Sequence, residues 1–283
     1  MSRSYICRIV LLTGISCPTF AVTTPQGTEP IRLSLTFVQS NPVTTITVGD
    51  RTIRAGVDTG GGAVTLSKEV LDSAGAVSLG EAVIGTDYLG HEHRQPSFRV
   101  PIVTIGGHTF QNMTVIQAPE QPAGIGPPVP NGIGRHFLSQ YLVVVDYARA
   151  SITLWPSNAT NTANKNCGRT RLPMEHTEED NELAVSDFDT QAGRLRLLWD
   201  TGATGSMLPT TTAEKLRLAT VNRGNTTFWQ AKVFSAAGHN FGPVDFIVQP
   251  AKLPRDFEGL LGRSFFEHHI VCLDYKRRAV WVR

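Results

Sequence analysis

Leu197-Leu198-Trp199-Asp200-Thr201-Gly202-Ala203-Thr204 is an apolar run that stops on an acid and turns at once through Thr, Gly and a small residue. Such a stretch reads as a strand that delivers a carboxylate at the mouth of a tight turn. The same arrangement stands 142 positions earlier as Ala55-Gly56-Val57-Asp58-Thr59-Gly60-Gly61. A single Asp-Thr-Gly is common in surface turns and carries little weight. Two copies carry weight if their surroundings repeat with them.

The surroundings do repeat. Upstream of Asp58, residues 44–48 and 52–57 alternate apolar and polar across the turn Val48-Gly49-Asp50-Arg51, and residues 182–188 and 195–199 do so across Thr190-Gln191-Ala192-Gly193. Both pairs predict hairpins whose second strand ends on the acid. Downstream of each acid comes a short helical segment: residues 67–72, with Ser67 as N-cap, and residues 212–216 after Pro209. Gly107-His108-Thr109-Phe110 and Gly238-His239-Asn240-Phe241 each precede an apolar run that ends in Pro, which places His108 and His239 in turns with a structural role. Finally, Gly132-Ile133-Gly134-Arg135-His136-Phe137 leads to Val143-Val144-Val145-Asp146-Tyr147. Leu260-Leu261-Gly262-Arg263-Ser264-Phe265 leads in the same way to Ile270-Val271-Cys272-Leu273-Asp274-Tyr275, 128 positions on. Matching segments in one order are the mark of an internal duplication.

The predicted fold is therefore all-β: two similar, closed-barrel-like lobes with a few short helices and a site in the cleft between them. The boundaries are an N-terminal lobe at 22–156, a polar, aperiodic linker at 157–166 and a C-terminal lobe at 167–283. Residues 1–21 carry Arg3 and Arg8, a short apolar run and Thr19-Phe20-Ala21, which reads as a signal peptide with its cleavage site. Secretion or a periplasmic location follows. A lipid anchor on Cys17 is the weaker reading, because Gly14 stands where an anchored cysteine has Leu. Removing that segment leaves basic and acidic residues equal at 24 each, so nothing calls for nucleic acid or an anionic membrane as partner. No further segment is apolar enough to span a membrane. Two cysteines remain, Cys167 and Cys272, which form either one disulfide in an oxidising compartment or two buried thiols.

With an apolar-apolar-Asp-Thr-Gly turn in each lobe and an apolar-Gly segment further along each, the chain resembles the aspartic peptidases over residues 31–283. Asp200-Thr201-Gly202-Ala203-Thr204 is most similar to the retropepsin branch, and the fused two-lobe layout to pepsin. The resemblance implies two acid-protease lobes and an aspartic endopeptidase in which Asp58 and Asp200 activate one water against a peptide or protein substrate, with no cofactor. It implies that Thr59, Gly60, Thr201 and Gly202 support the loops, the threonine hydroxyls tying one loop to the other behind the acids. It also implies a hairpin flap over the cleft, for which Thr86-Asp87-Tyr88-Leu89-Gly90, with Tyr88, is the candidate. The second lobe offers a comparable hairpin at Asn222-Arg223-Gly224-Asn225.

Physical chemistry supports the same site independently. Peptide hydrolysis by water needs a base for the water proton and an acid for the carbonyl oxygen and the leaving nitrogen. Two carboxylates about 3 Å apart share one proton and serve both needs, titrating as a unit. The position after each Gly refines this. Pepsin-like chains commonly place a Ser donor there, whereas this chain has Gly61 and Ala203, and the missing donor disfavours the charged form. A mildly acidic optimum is expected. Gly61-Gly62, and Gly132 where the second lobe has Leu260, make the first lobe the less regular one. This motivates the alternative of an inactive retropepsin-fold module that binds a peptide or protein in its cleft. A glycosidase on the same acids would need a separation of roughly 5 Å or more. His91-Glu92-His93 and His268-His269 lack ligand spacing, so no metal is expected. Asp146 and Asp274 are assigned a strand-edge structural role. The duplication already supplies both halves of a site, so a monomer suffices.

Overall fold

A computed structural model describes residues 29–86, 92–119, 129–156, 167–175, 177 and 183–283. Residues 1–21, read as a signal peptide, with Cys17, and residues 157–166, read as a linker, lie outside these residues.

The N-terminal half rolls an eight-stranded sheet into a barrel. The predicted hairpin forms with Asn41–Val48 turning at Gly49-Asp50 into Arg51–Val57, Val48 opposite Arg51. Glu92–Ile105 closes the barrel, because this long strand pairs along most of its length with His108–Gln117 and at its far end with Asn41–Val48. Val100, Val103, Ile105, Phe110, Met113 and Val115 fill the interior from these two strands.

In the C-terminal half the equivalent closing strand is broken. Thr226–Ala231 pairs with Val244–Gln249 and Phe234–Ala236 pairs with Val185–Thr190, with Lys232 and Val233 between them. The side chain of Gln191 spans the break. Its Nε2 donates to the Gln230 carbonyl at 3.2 Å and its Oε1 accepts from the Val233 N–H at 3.1 Å. The turn that links the second hairpin thus mends the barrel wall with an amide in place of a backbone pair.

A six-stranded sheet joins the halves, in the order Ile31–Ser34, Ser151–Pro156, Tyr141–Asp146, Val271–Asp274, Ala279–Val282 and Thr170–Pro173. The seam is antiparallel, from Leu142 opposite Asp274 to Val145 opposite Val271. All six residues of Tyr141–Asp146 are buried because the sheet is covered on both faces. Val143, Val145 and Leu273 face the main core, while Leu142, Val144, Cys272 and Trp281 form a second apolar cluster. Cys167 lies in that second cluster and is disulfide-bonded to Cys272 with Cα atoms 5.6 Å apart, so of the two cysteine readings the disulfide is the one formed.

Asp146 and Asp274 are structural, but they end the two central strands of this sheet and not an edge. Each accepts the backbone N–H and the guanidinium of the arginine three residues on, Arg149 at 3.1 and 2.7 Å and Arg277 at 2.9 and 2.6 Å. These caps hold the turn that reverses each strand. The helix Lys68–Ser73 begins on its Ser67 cap, which accepts from the Val70 N–H, and the second helix runs Thr210–Leu216, starting earlier than its periodicity suggested. His108 opens a strand after a Gly106-Gly107 turn and His239 follows the Ala237-Gly238 turn.

Candidate active site

Each acid leaves its sheet at a corresponding point. Arg51–Val57 runs parallel to Gly132–Ile133, and the Asp58 N–H donates to the Ile133 carbonyl at 3.0 Å. Gly193–Trp199 runs parallel to Gly259–Leu261, and the Asp200 N–H donates to the Leu261 carbonyl, also at 3.0 Å. The repeated apolar-Gly segment is thus the partner that fixes where the acid-bearing strand stops. This gives its spacing from the acid a physical meaning.

Beyond the strands the two turns hold their own carboxylates. Asp58 Oδ1 accepts the N–H groups of Gly60 at 2.9 Å and Gly61 at 2.8 Å; Asp200 Oδ1 accepts those of Gly202 at 2.8 Å and Ala203 at 3.1 Å. The threonines between them reach across the molecule. The Thr59 N–H donates to Thr201 Oγ1 and the Thr201 N–H to Thr59 Oγ1, both at 3.0 Å, while the hydroxyls donate to the carbonyls of Trp199 at 2.7 Å and Val57 at 2.8 Å. Both threonines are fully buried, so each of these bonds replaces water that cannot reach them. The glycines then let the loops approach. A Cβ on Gly60 would lie 2.6 Å from Asp200 Cγ and one on Gly202 would lie 2.5 Å from Asp58 Cγ.

The two carboxyls meet in a direct hydrogen bond. That contact is closer than the carboxyl separation a glycosidase requires. The environments of the two acids differ. Asp200 is 2 % exposed and Asp58 is half-buried. Burial, then the charge of Asp58, then the hydrogen bond to Asp58 hold the Asp200 carboxyl well above the usual carboxylate range, and the Gly202 and Ala203 N–H groups oppose this.

Two further side chains reach the loops, and sequence reasoning assigned neither of them any chemistry. Tyr147 Oη lies 3.4 Å from the Thr201 carbonyl, to which it donates. Burial, followed by the Asp200 charge, raises the phenol well above its ordinary range, so it remains a donor. Arg135 is fully buried and its Nη1 donates to the Gly60 carbonyl at 3.1 Å. Both stand in segments that repeat in the sequence, Gly134-Arg135 with Gly262-Arg263 and Asp146-Tyr147 with Asp274-Tyr275. The repetition marked them, but only folding shows which copy points at an acid. Arg263, the counterpart of Arg135, instead pairs with Glu267 at 2.6 Å and lies over the Phe37 ring at 4.3 Å.

Gly61 also acquires a reason. A Cβ there would lie 2.7 Å from Asp58 Oδ2, so this backbone has no place for the side chain that Ala203 carries in the other lobe. The irregularity of the first lobe is local to this turn and leaves Asp58 with a cradle like that of Asp200.

The flap candidate Tyr88 lies outside the described residues, but the arms of its hairpin lie within them and pair out to Thr86 opposite Glu92. The second-lobe hairpin, Ala219–Arg223 with Thr226–Ala231, is fastened to its barrel. Trp229 pairs opposite Phe246, and Arg223 Nε bonds Asp245 at 3.1 Å. His269 packs on Phe265 and Phe241, and burial, then His268 and His239, lower it to about 4. Among the described residues no group of three or more His, Cys, Asp or Glu is placed to hold a metal, and no helix is long and apolar enough to cross a membrane.

Residues 44–137 match the family described as aspartyl protease, a span that includes Asp58 and Arg135 but not Asp200. No curated protein matches the sequence. The fold is similar to that of an aspartic proteinase from Irpex lacteus. The TM-score is 0.61 at 14 % identity, covering 90 % of this chain and 97 % of that one. At such identity the likeness is one of fold.

Proposed function

We propose that this chain, whose residues 44–137 match the aspartyl protease family, is an endopeptidase that hydrolyses peptide bonds with a water activated between Asp58 and Asp200. The observation that carries this reading is the hydrogen bond between two carboxyls contributed by two duplicated loops, each carboxyl cradled by its own turn. A protein has little reason to bury one acid against another unless a shared proton is of use.

The asymmetry of the pair assigns the roles. Asp200, buried and held well above the usual range, carries the shared proton, which leaves the part of base to Asp58. Asp58 takes a proton from water as the water oxygen bonds to the scissile carbonyl carbon, and Asp200 gives its proton to the carbonyl oxygen. The carbon–nitrogen bond then breaks as Asp58 returns its proton to the nitrogen and a diol hydroxyl proton goes back to Asp200. The pair ends as it began.

The Cys167–Cys272 disulfide supports an oxidising compartment, and with the signal segment at 1–21 it favours a secreted or periplasmic protein. Lobes at 22–156 and 167–283 fit the pseudo-symmetric order of the joining sheet. Incubating the mature chain with an unfolded protein from pH 3 to 8 tests the activity. Cleavage that peaks at mildly acidic pH and disappears in Asp58→Asn and Asp200→Asn is expected. Tight peptide binding without cleavage by the wild-type chain would favour the inactive binding module instead.

A further inference from the structure

We infer that Arg135 is a positioning residue for the dyad: through the Gly60–Gly61 peptide group it keeps Asp58, and not Asp200, as the ionised acid. The inference rests on the proposed peptidase chemistry only for its kinetic consequence. The geometry stands without it.

One peptide group connects the two side chains. Its carbonyl, on Gly60, accepts from Arg135 Nη1 at 3.1 Å, and its N–H, on Gly61, donates to Asp58 Oδ1 at 2.8 Å. A cation on the carbonyl end polarises the amide and strengthens the donor at the other end. A stronger donor favours a charged acceptor. The charge also acts directly, since Arg135 is fully buried in a region where water does not screen it.

The corresponding peptide of the second loop is served differently. It is the Gly202–Ala203 peptide: its N–H, on Ala203, donates to Asp200 Oδ1 at 3.1 Å, and the neutral Tyr147 hydroxyl donates one residue earlier, to the Thr201 carbonyl at 3.4 Å. Arg263 is engaged with Glu267 and Phe37. A duplicated chain would give two equal acids if both arginines did the same work. Here one loop receives a cation and the other a phenol, which breaks the symmetry in one direction. Among the described residues, the other titratable groups around Asp58 include Asp200, which hydrogen-bonds to it; Tyr147, which feels both acids and Arg263; and His136, whose backbone N–H donates to the Gly62 carbonyl behind the loop.

The pH dependence of kcat/KM for cleavage of an unfolded protein, compared across Arg135→Lys, Arg135→Gln and wild type, reads this out. Arg135→Gln is expected to move the acid limb up by about one pH unit, the size expected of a unit charge one peptide group away, with Arg135→Lys close to wild type. A second measurement needs no activity. In the Asp200→Asn background only Asp58 titrates at the site, and its 13C-labelled carboxyl should titrate about one unit higher when Arg135 becomes Gln. Identical Asp58 titrations with and without the Arg135 charge would overturn the inference, as would an acid limb unmoved in a folded Arg135→Gln enzyme. Should Arg135→Gln fail to fold, the wild-type titration decides. In full-length wild type Asp58 must lose its proton before Asp200, and the reverse order refutes the assignment. A chain without peptidase activity would sink the proposed function, and the carboxyl titration alone would then decide the role of Arg135.

Discussion

At the scale of single residues, Ala203 and Asp200 set the pH behaviour. Ala203 supplies only its N–H to Asp200 Oδ1, where a serine would add a hydroxyl donor. Ala203→Ser should therefore stabilise the ionised form of Asp200 and move the basic limb of the pH–rate profile downward by about half a unit to one unit. Gly61→Ser is the poorer test, since its Cβ has no room beside Asp58. The raised carboxyl of Asp200 has a consequence for stability as well. Between the unfolded carboxyl range near 4 and its raised folded value, the native state holds a proton that the unfolded chain has lost, so stability falls as pH rises through that window. Asp200→Asn removes this penalty. A thermal melt at pH 7 should show the variant melting above wild type, with the gap closing below about pH 4. Both acids were legible in the sequence because their tripeptide repeats. Which of them is the more deeply buried was not legible, because no local pattern encodes that difference.

At the scale of elements, the two Asp-Thr-Gly loops behave as one unit held by four buried hydrogen bonds between Thr59, Thr201 and the opposite strands. Thr59→Val and Thr201→Val keep the shape and remove the hydroxyls. Each should cost about 1–3 kcal/mol in urea unfolding and lower kcat, and the double variant should cost less than the sum because both changes unfasten the same pair of loops. Full additivity would mean that the loops are supported separately. The hairpins that carry these loops were readable from alternation and from Gly49-Asp50, which takes the turn at φ 60°. The break at Lys232-Val233 and its repair by Gln191 were not readable. A glutamine in a turn has no signature that it will reach a break in the barrel wall some forty residues on, at Val233. Tertiary closure of the barrel decides that contact.

At the scale of the whole molecule, duplication places the site between halves and the six-stranded sheet locks the halves together. The disulfide closes a loop of 105 residues at the rear of that sheet. Replacing both Cys167 and Cys272 by Ala should lower stability to urea by about 2–5 kcal/mol while leaving kcat per folded molecule unchanged, because the bond lies in the second apolar cluster and touches neither acid loop. The repeat of Val143-Val144-Val145-Asp146 with Val271-Cys272-Leu273-Asp274 foretold that both lobes end alike. It did not foretell that the repeats pair with each other, since strand partners far apart in sequence are chosen by burial on both faces. What the duplication ultimately delivers is one site from two acids, and the most direct test is a double-mutant comparison of peptide cleavage by wild type, Asp58→Asn, Asp200→Asn and the double variant. If the carboxyls act as a unit, each single change lowers kcat by about a thousandfold or more and the double change lowers it no further. Retention of kcat within tenfold in either single variant, or losses that multiply in the double variant, would contradict a shared site.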